Sequence, residues 1–161
     1  MKKNILIIFC LILTVFSFGQ NSDKAPVVVS FENKIAFNEM KKLNLDSIYP
    51  NLLNPRNVTE SEYKSVTKSW SEFHQKMSKY IKEEEFTWEV QDSTIKISNR
   101  IYFDKNGNVE YYSFRIQNSN VTSEKRLEYE KLLLKFSEKE KVDLQRDNKF
   151  AQCGNIKYRN Y

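Results

Sequence analysis

Asn106-Gly107 stands between two runs, residues 95–103 and 109–117, in which apolar and polar side chains alternate. Asn-Gly fits a two-residue type I′ turn, because both central residues of that turn need positive φ. Such a turn also fixes the register of the strands it joins. With Lys105 opposite Asn108, Phe103 pairs with Glu110, Ile101 with Tyr112, Asn99 with Phe114, and Ile97 with Ile116. The opposite face then carries Tyr102 across from Tyr111, Arg100 from Ser113, and Ser98 from Arg115. A one-residue slip would mix the two sets, so the pattern predicts a hairpin without a bulge. An isolated hairpin is marginal in water. Ile97, Ile101, Tyr112, Phe114 and Ile116 therefore need a cover.

Two helices can supply it. Thr59-Glu60-Ser61-Glu62 is a capping box, in which the Thr59 side chain and the Glu62 N–H satisfy each other. Behind it, Tyr63, Val66, Trp70, Phe73, Met77 and Tyr80 or Ile81 recur at steps of three and four, one apolar stripe along a helix at 59–84. A second helix at 123–141, capped by Ser123, carries Tyr129, Leu132, Leu133 and Phe136 on one face, with Leu127 and Leu134 on its flanks. Residues 27–31 read as a short strand, and 33–45 as a helix through Ala36, Met40 and Leu43. Each Pro in 49–55 marks a loop. Phe86-Thr87-Trp88-Glu89-Val90 alternates as a strand, and 150–158 closes the chain as another. The predicted fold is a two-layer α+β sandwich, an antiparallel sheet of 86–91, 94–104, 109–117 and 150–158 packed on helices 59–84 and 123–141.

The first residues read differently. Met1-Lys2-Lys3-Asn4 is basic, residues 5–16 are apolar, and Ser17-Phe18-Gly19 places small residues where a signal peptidase reads. The expectation is a signal peptide at 1–19, cleaved between Gly19 and Gln20, and a periplasmic or secreted single domain at 20–161. No transmembrane segment is expected after its removal. The formal charge of +5 falls to +3 when Lys2 and Lys3 leave with that peptide, too mild an excess for a nucleic-acid binder. With 3 Gly in 161 residues, a Gly-rich phosphate cradle is not expected, and the chain implies no cofactor. Cleavage leaves Cys153 alone, which excludes an internal disulfide and points to a buried strand cysteine.

Residues able to do chemistry are few. His74 is the only histidine, and its place beside Phe73 reads as the flank of the helix stripe. Glu83-Glu84-Glu85 reads as a solvated charge run, and Asp104 to Gly107 mimics the start of a calcium loop without the later ligands. No catalytic or metal-ligating set is expected. The candidate binding residues are those of the polar hairpin face: Arg100, Tyr102, Tyr111, Ser113 and Arg115. Tyr and Arg are enriched where proteins bind one another. The alternative is a second layer packed over that face.

Ile101-Tyr102-Phe103-Asp104-Lys105-Asn106-Gly107-Asn108-Val109, followed by a helix from Leu127 to Phe136 and a last strand from Phe150, resembles the C-terminal domain of TonB-type energy transducers over about 94–158. That resemblance implies a hairpin, one helix, a final strand and an envelope or outer-membrane protein as partner. The chain also resembles a family of small exported Bacteroidetes proteins, which brings no mechanism with it. The expected function is a non-enzymatic protein-binding module of the cell envelope. The alternatives are a small-molecule or glycan binder, or an enzyme using Cys153.

Overall fold

The computed structural model describes residues 25–53 and 58–160, so the expected signal peptide and its cleavage site lie outside the described residues. The elements run β1 (Val27–Ser30), α1 (Lys34–Lys42), α2 (Leu45–Ile48), α3 (Glu60–Glu83), β2 (Thr94–Phe103), β3 (Val109–Ile116), α4 (Ser123–Lys139) and β4 (Phe150–Arg159). One sheet has the order β1-β3-β2-β4. It is the α+β sandwich expected from the sequence, with α3 and α4 over the apolar face of the hairpin. Two details differ. The sheet is mixed, because β1 pairs with β3 in parallel. Residues 86–91 form no strand. Their alternation is real, since Phe86 and Trp88 are buried and Thr87 and Glu89 exposed. But Glu89 has φ +54°, which interrupts extended backbone, and the two rings pack edge-on against each other and on toward Tyr129 rather than joining the sheet.

The hairpin register holds from Tyr102↔Tyr111 to Ile97↔Ile116. Its turn does not match the expectation. Gly107 has φ +88°, while Asn106 is not among the residues with positive φ. Gly107 N–H donates to the Asp104 carbonyl at 3.1 Å, and Asp104 Oδ1 accepts from the Asn106 and Asn108 N–H groups, each at 2.8 Å. This is a type I turn with Asp first and Gly last, closed by a left-handed residue. The three-residue loop shifts the pairing by one, so Phe103 faces Val109. A bulge between Tyr102 and Phe103 shifts it back, and Glu110 is the extra residue. The turn then docks on the connection after α4, where Val142 N–H donates to the Gly107 carbonyl at 3.0 Å and Arg146 N–H to the Lys105 carbonyl at 2.9 Å.

Thr59 caps α3 by accepting from Glu62 N–H at 3.2 Å, as its capping box requires. Thr122, not Ser123, caps α4. The stripe of α3 buries Val66, Phe73, Met77 and Ile81 against the sheet. Beneath it the core contains polar atoms. Tyr112 donates to Asn99 Oδ1 at 2.8 Å, and the hydroxyls of Tyr129 and Tyr158 reach the Met77 sulfur at 3.7 and 3.1 Å. His74 Nδ1 lies 2.9 Å from the Tyr158 oxygen, and its Nε2 is buried without a partner among the described residues. A proton on Nδ1 satisfies this set best. His74 then donates to Tyr158, Tyr158 donates to Met77, and only a bare acceptor is left at Nε2. His74 is thus buried rather than on a flank, because β4 lies on that side of α3.

Two outcomes follow from this packing. A Cβ on Gly107 would come within 2.3 Å of the Val142 carbonyl oxygen and would sit on left-handed backbone. Gly107→Ala should therefore cost about 2–5 kcal/mol in urea denaturation, combining backbone strain with overpacking. Burial lowers the pKa of His74 from 6.5 to about 3, so the folded state excludes a proton that the unfolded chain binds. Its contribution is complete above pH 6.5 and is lost as the pH falls toward 3, at up to about 1.4 kcal/mol per pH unit. In His74→Gln, stability measured from pH 7 to pH 4 should fall less steeply.

Candidate functional site

The face of the sheet turned away from α3 and α4 has two halves. Asn44, at φ +47°, ends α1 and turns the chain into α2, which brings Asp46 over the sheet. The Asp46 carboxylate bridges Arg100 and Tyr102. It ion-pairs with the Arg100 guanidinium and accepts from the Tyr102 hydroxyl at 2.9 Å. Burial, and then this bond to Asp46, push the Tyr102 pKa up to about 12. Tyr49, after α2, packs edge-on against Tyr102 and Tyr111 with centroids 5.3 and 6.2 Å away. Its hydroxyl donates to Glu110 Oε2 at 2.6 Å, and Lys149 Nζ holds both Glu110 oxygens at 2.7 and 2.8 Å. Burial and the Glu110 carboxylate together raise the Tyr49 pKa. The bulge at Glu110 aims this carboxylate at Tyr49.

Arg100, Tyr102 and Ser113 therefore come together in a cleft of about 320 Å³, roofed by Phe37, Met40, Leu45 and Asp46. Tyr102 and Ser113 are buried, and Ser113 donates to the Arg100 carbonyl at 3.3 Å. Tyr111 is half-buried beside Tyr49, and Arg115 stands apart, exposed. The aromatic pair is the floor under a second layer, not a free surface, because Met40, Leu45 and Tyr49 close over it, with Val29 and Ala151 beside it in the sheet. Asp46, Tyr49 and Lys149 were not legible as members of this half, since they reach it from α2 and from connections.

The other half is open. Ser98 donates to Asn155 Oδ1 at 2.7 Å, and Gln117 donates to Ser98 at 2.9 Å. Around these amides stand Lys96, Arg115, Lys157 and Arg159, all exposed. Lys96 lies directly opposite Lys157. Beside them Asp92, Ser93, Thr94, Lys96, Gln117 and Asn118 line a shallow cavity of about 380 Å³.

The outer edge of β4 borders this open half. Ala151 N–H donates to the Pro50 carbonyl and its own carbonyl accepts from Leu52, at 3.0 and 3.1 Å. Along an antiparallel strand such outward groups recur at every second residue, so Cys153, Asn155 and Lys157 also turn their N–H groups outward. Among the described residues no other strand pairs with that edge. Cys153 is exposed rather than buried, because it sits on this edge opposite Arg100 and away from the helices. Its sulfur accepts from Asn51 Nδ2 at 3.2 Å. His74 lies under α3, on the other face of the sheet, and cannot serve Cys153 as a base. Compared with protein-family models, curated proteins and solved structures, the chain matches none.

Because Tyr102 holds α2 to the sheet, its two truncations should differ. Tyr102→Phe loses one hydroxyl bond to a carboxylate and should cost about 1–2 kcal/mol. Tyr102→Ala removes a ring from a closed layer and should cost about 3–5 kcal/mol in the same denaturation assay.

Proposed function

We propose that the chain is an exported, non-enzymatic binding module of the cell envelope that captures a protein by strand addition at β4. One observation carries the reading: β4 is a ten-residue edge strand whose outward backbone groups, among the described residues, are covered only near Ala151, by the segment at Pro50–Leu52. Long open edges are templates for pairing with another chain, and main-chain hydrogen bonds supply affinity in strand addition. His74, on the other face of the sheet, is out of place as a base for Cys153, which favours binding over thiol catalysis.

A second reading rests on the cleft beneath α1 and α2. Arg100 Nε is buried there without a hydrogen-bond partner among the described residues, and a small ligand or glycan bearing an acceptor would satisfy it. Such a ligand would raise the Tm, and the rise would continue with the logarithm of its concentration above Kd.

The edge is tested by Asn155→Pro. Proline is tolerated where the N–H points away from the sheet but removes the outward donor. Capture of an envelope protein by the tagged chain should be lost in this variant while its Tm stays within a few degrees of the parent. In the parent complex, hydrogen exchange should slow at the Cys153, Asn155 and Lys157 amides. Equal capture by the proline variant, with no added protection, rules out strand addition.

A further inference from the structure

Resting on that strand-addition reading, we propose that the segment received by β4 is an extended peptide with acidic residues at alternate positions and apolar residues between them. A strand added to β4 would place every second side chain beside Cys153, Asn155 and Lys157, on the open face of the sheet. That face carries Lys96, Arg115, Lys157 and Arg159, none of them ion-paired among the described residues. Asp92 stands at its rim, where its carboxylate already accepts from Asn118 Nδ2 at 2.5 Å. Like charges directly opposite each other oppose sheet formation, and Lys96 faces Lys157 across the β2–β4 ladder. Carboxylates arriving on the added strand would relieve that repulsion. The intervening side chains would lie on the other face, beside Gly154 and Ile156. There the half-buried Trp70 indole lies so close that a Cβ on Gly154 would sit 3.2 Å from its Nε1. That flank takes an apolar residue.

Charge also selects among occupants. A second copy of the chain pairing β4 to β4 would merge two basic faces into one, which repels. A basic or neutral segment would leave the Lys96–Lys157 repulsion in place.

The probe is a short, end-blocked peptide of alternating Glu and Val carrying a fluorophore, titrated by anisotropy. Three controls accompany it: the same peptide N-methylated at alternate residues, a Lys–Val peptide and a Thr–Val peptide. The protein should bind Glu–Val, bind Thr–Val and Lys–Val progressively less, and lose the N-methylated peptide. The double variant Lys96→Glu/Lys157→Glu should bind Glu–Val about tenfold more weakly, two surface charge contacts having been reversed. Lys157→Glu alone should raise the Tm of the free protein while weakening binding, which a misfolded variant would not do. Equal binding of the Glu–Val, Thr–Val and Lys–Val peptides, with N-methylation still abolishing it, overturns the acidic preference and leaves strand addition standing. Undiminished binding of the N-methylated peptide overturns strand addition itself. No binding by any peptide overturns both.

Discussion

Tyr112, Tyr129 and Tyr158 bring bulk into the core together with three hydroxyls that must be satisfied out of reach of water. Each lies 3.1 to 3.7 Å from the Met77 sulfur, and each comes from a different element: β3, α4 and β4. β2 adds Asn99 as the acceptor for Tyr112, and α3 adds both Met77 and His74. Every large element thus contributes at least one group to a single cluster. A hydroxyl left unpaired there would cost about 1–3 kcal/mol, a large share of the stability of a small domain. The register of the sheet and the rotation of α3 are therefore set together. Turning α3 by one residue would move Met77 off the phenols, and slipping β4 by one would send Tyr158 to the open face.

The opposite face is organised by two carboxylates. Asp46 ties α2 to Arg100 and Tyr102, and Glu110 ties Tyr49 to Lys149. Both acids act on aromatic rings that would otherwise stand in solvent. The bulge that aims Glu110 is a consequence of the Asp104–Gly107 turn, whose three-residue loop has to be offset within the hairpin. A local choice of turn chemistry thus decides how the second layer closes, and where it stops. It stops at Arg100 because α2 ends at Ile48, and the sheet beyond Arg100 is left bare.

Much of this was legible in the sequence wherever a short-range signal existed. The α3 stripe, the Thr59 cap and the pairing of Arg100 with Ser113 depend on period and neighbours alone. The turn departs from the type I′ expectation although the signal for its true form is present in the sequence. Asp104 and Gly107 hold the first and last positions of a type I turn, and a side chain that bonds two N–H groups outweighs the Asn-Gly preference for type I′. The parallel pairing of β1 was not legible, since four residues of alternation carry no direction. Residues 86–91 alternated correctly for burial, but an alternating segment becomes a strand only beside a free edge, and they pack instead against Tyr129. In the candidate site, Arg100, Tyr102 and Ser113 were legible as neighbours but not as buried. Lys157 and Arg159 joined Arg115 and Lys96 only when the β2–β4 register was known.

Lysine on an edge strand has an ordinary explanation, protection against edge-to-edge aggregation. That explanation covers Lys157. It does not cover Lys96, which lies on the interior strand β2, or Arg115 on β3, where neither side chain touches the exposed edge. A charge on β4 such as Lys157 already serves to block self-pairing. Lys96 and Arg115 add repulsion to the free protein and nothing to edge protection. Their cost is offset only when an opposite charge arrives at the same face, so an acidic strand fits their placement and edge protection alone does not.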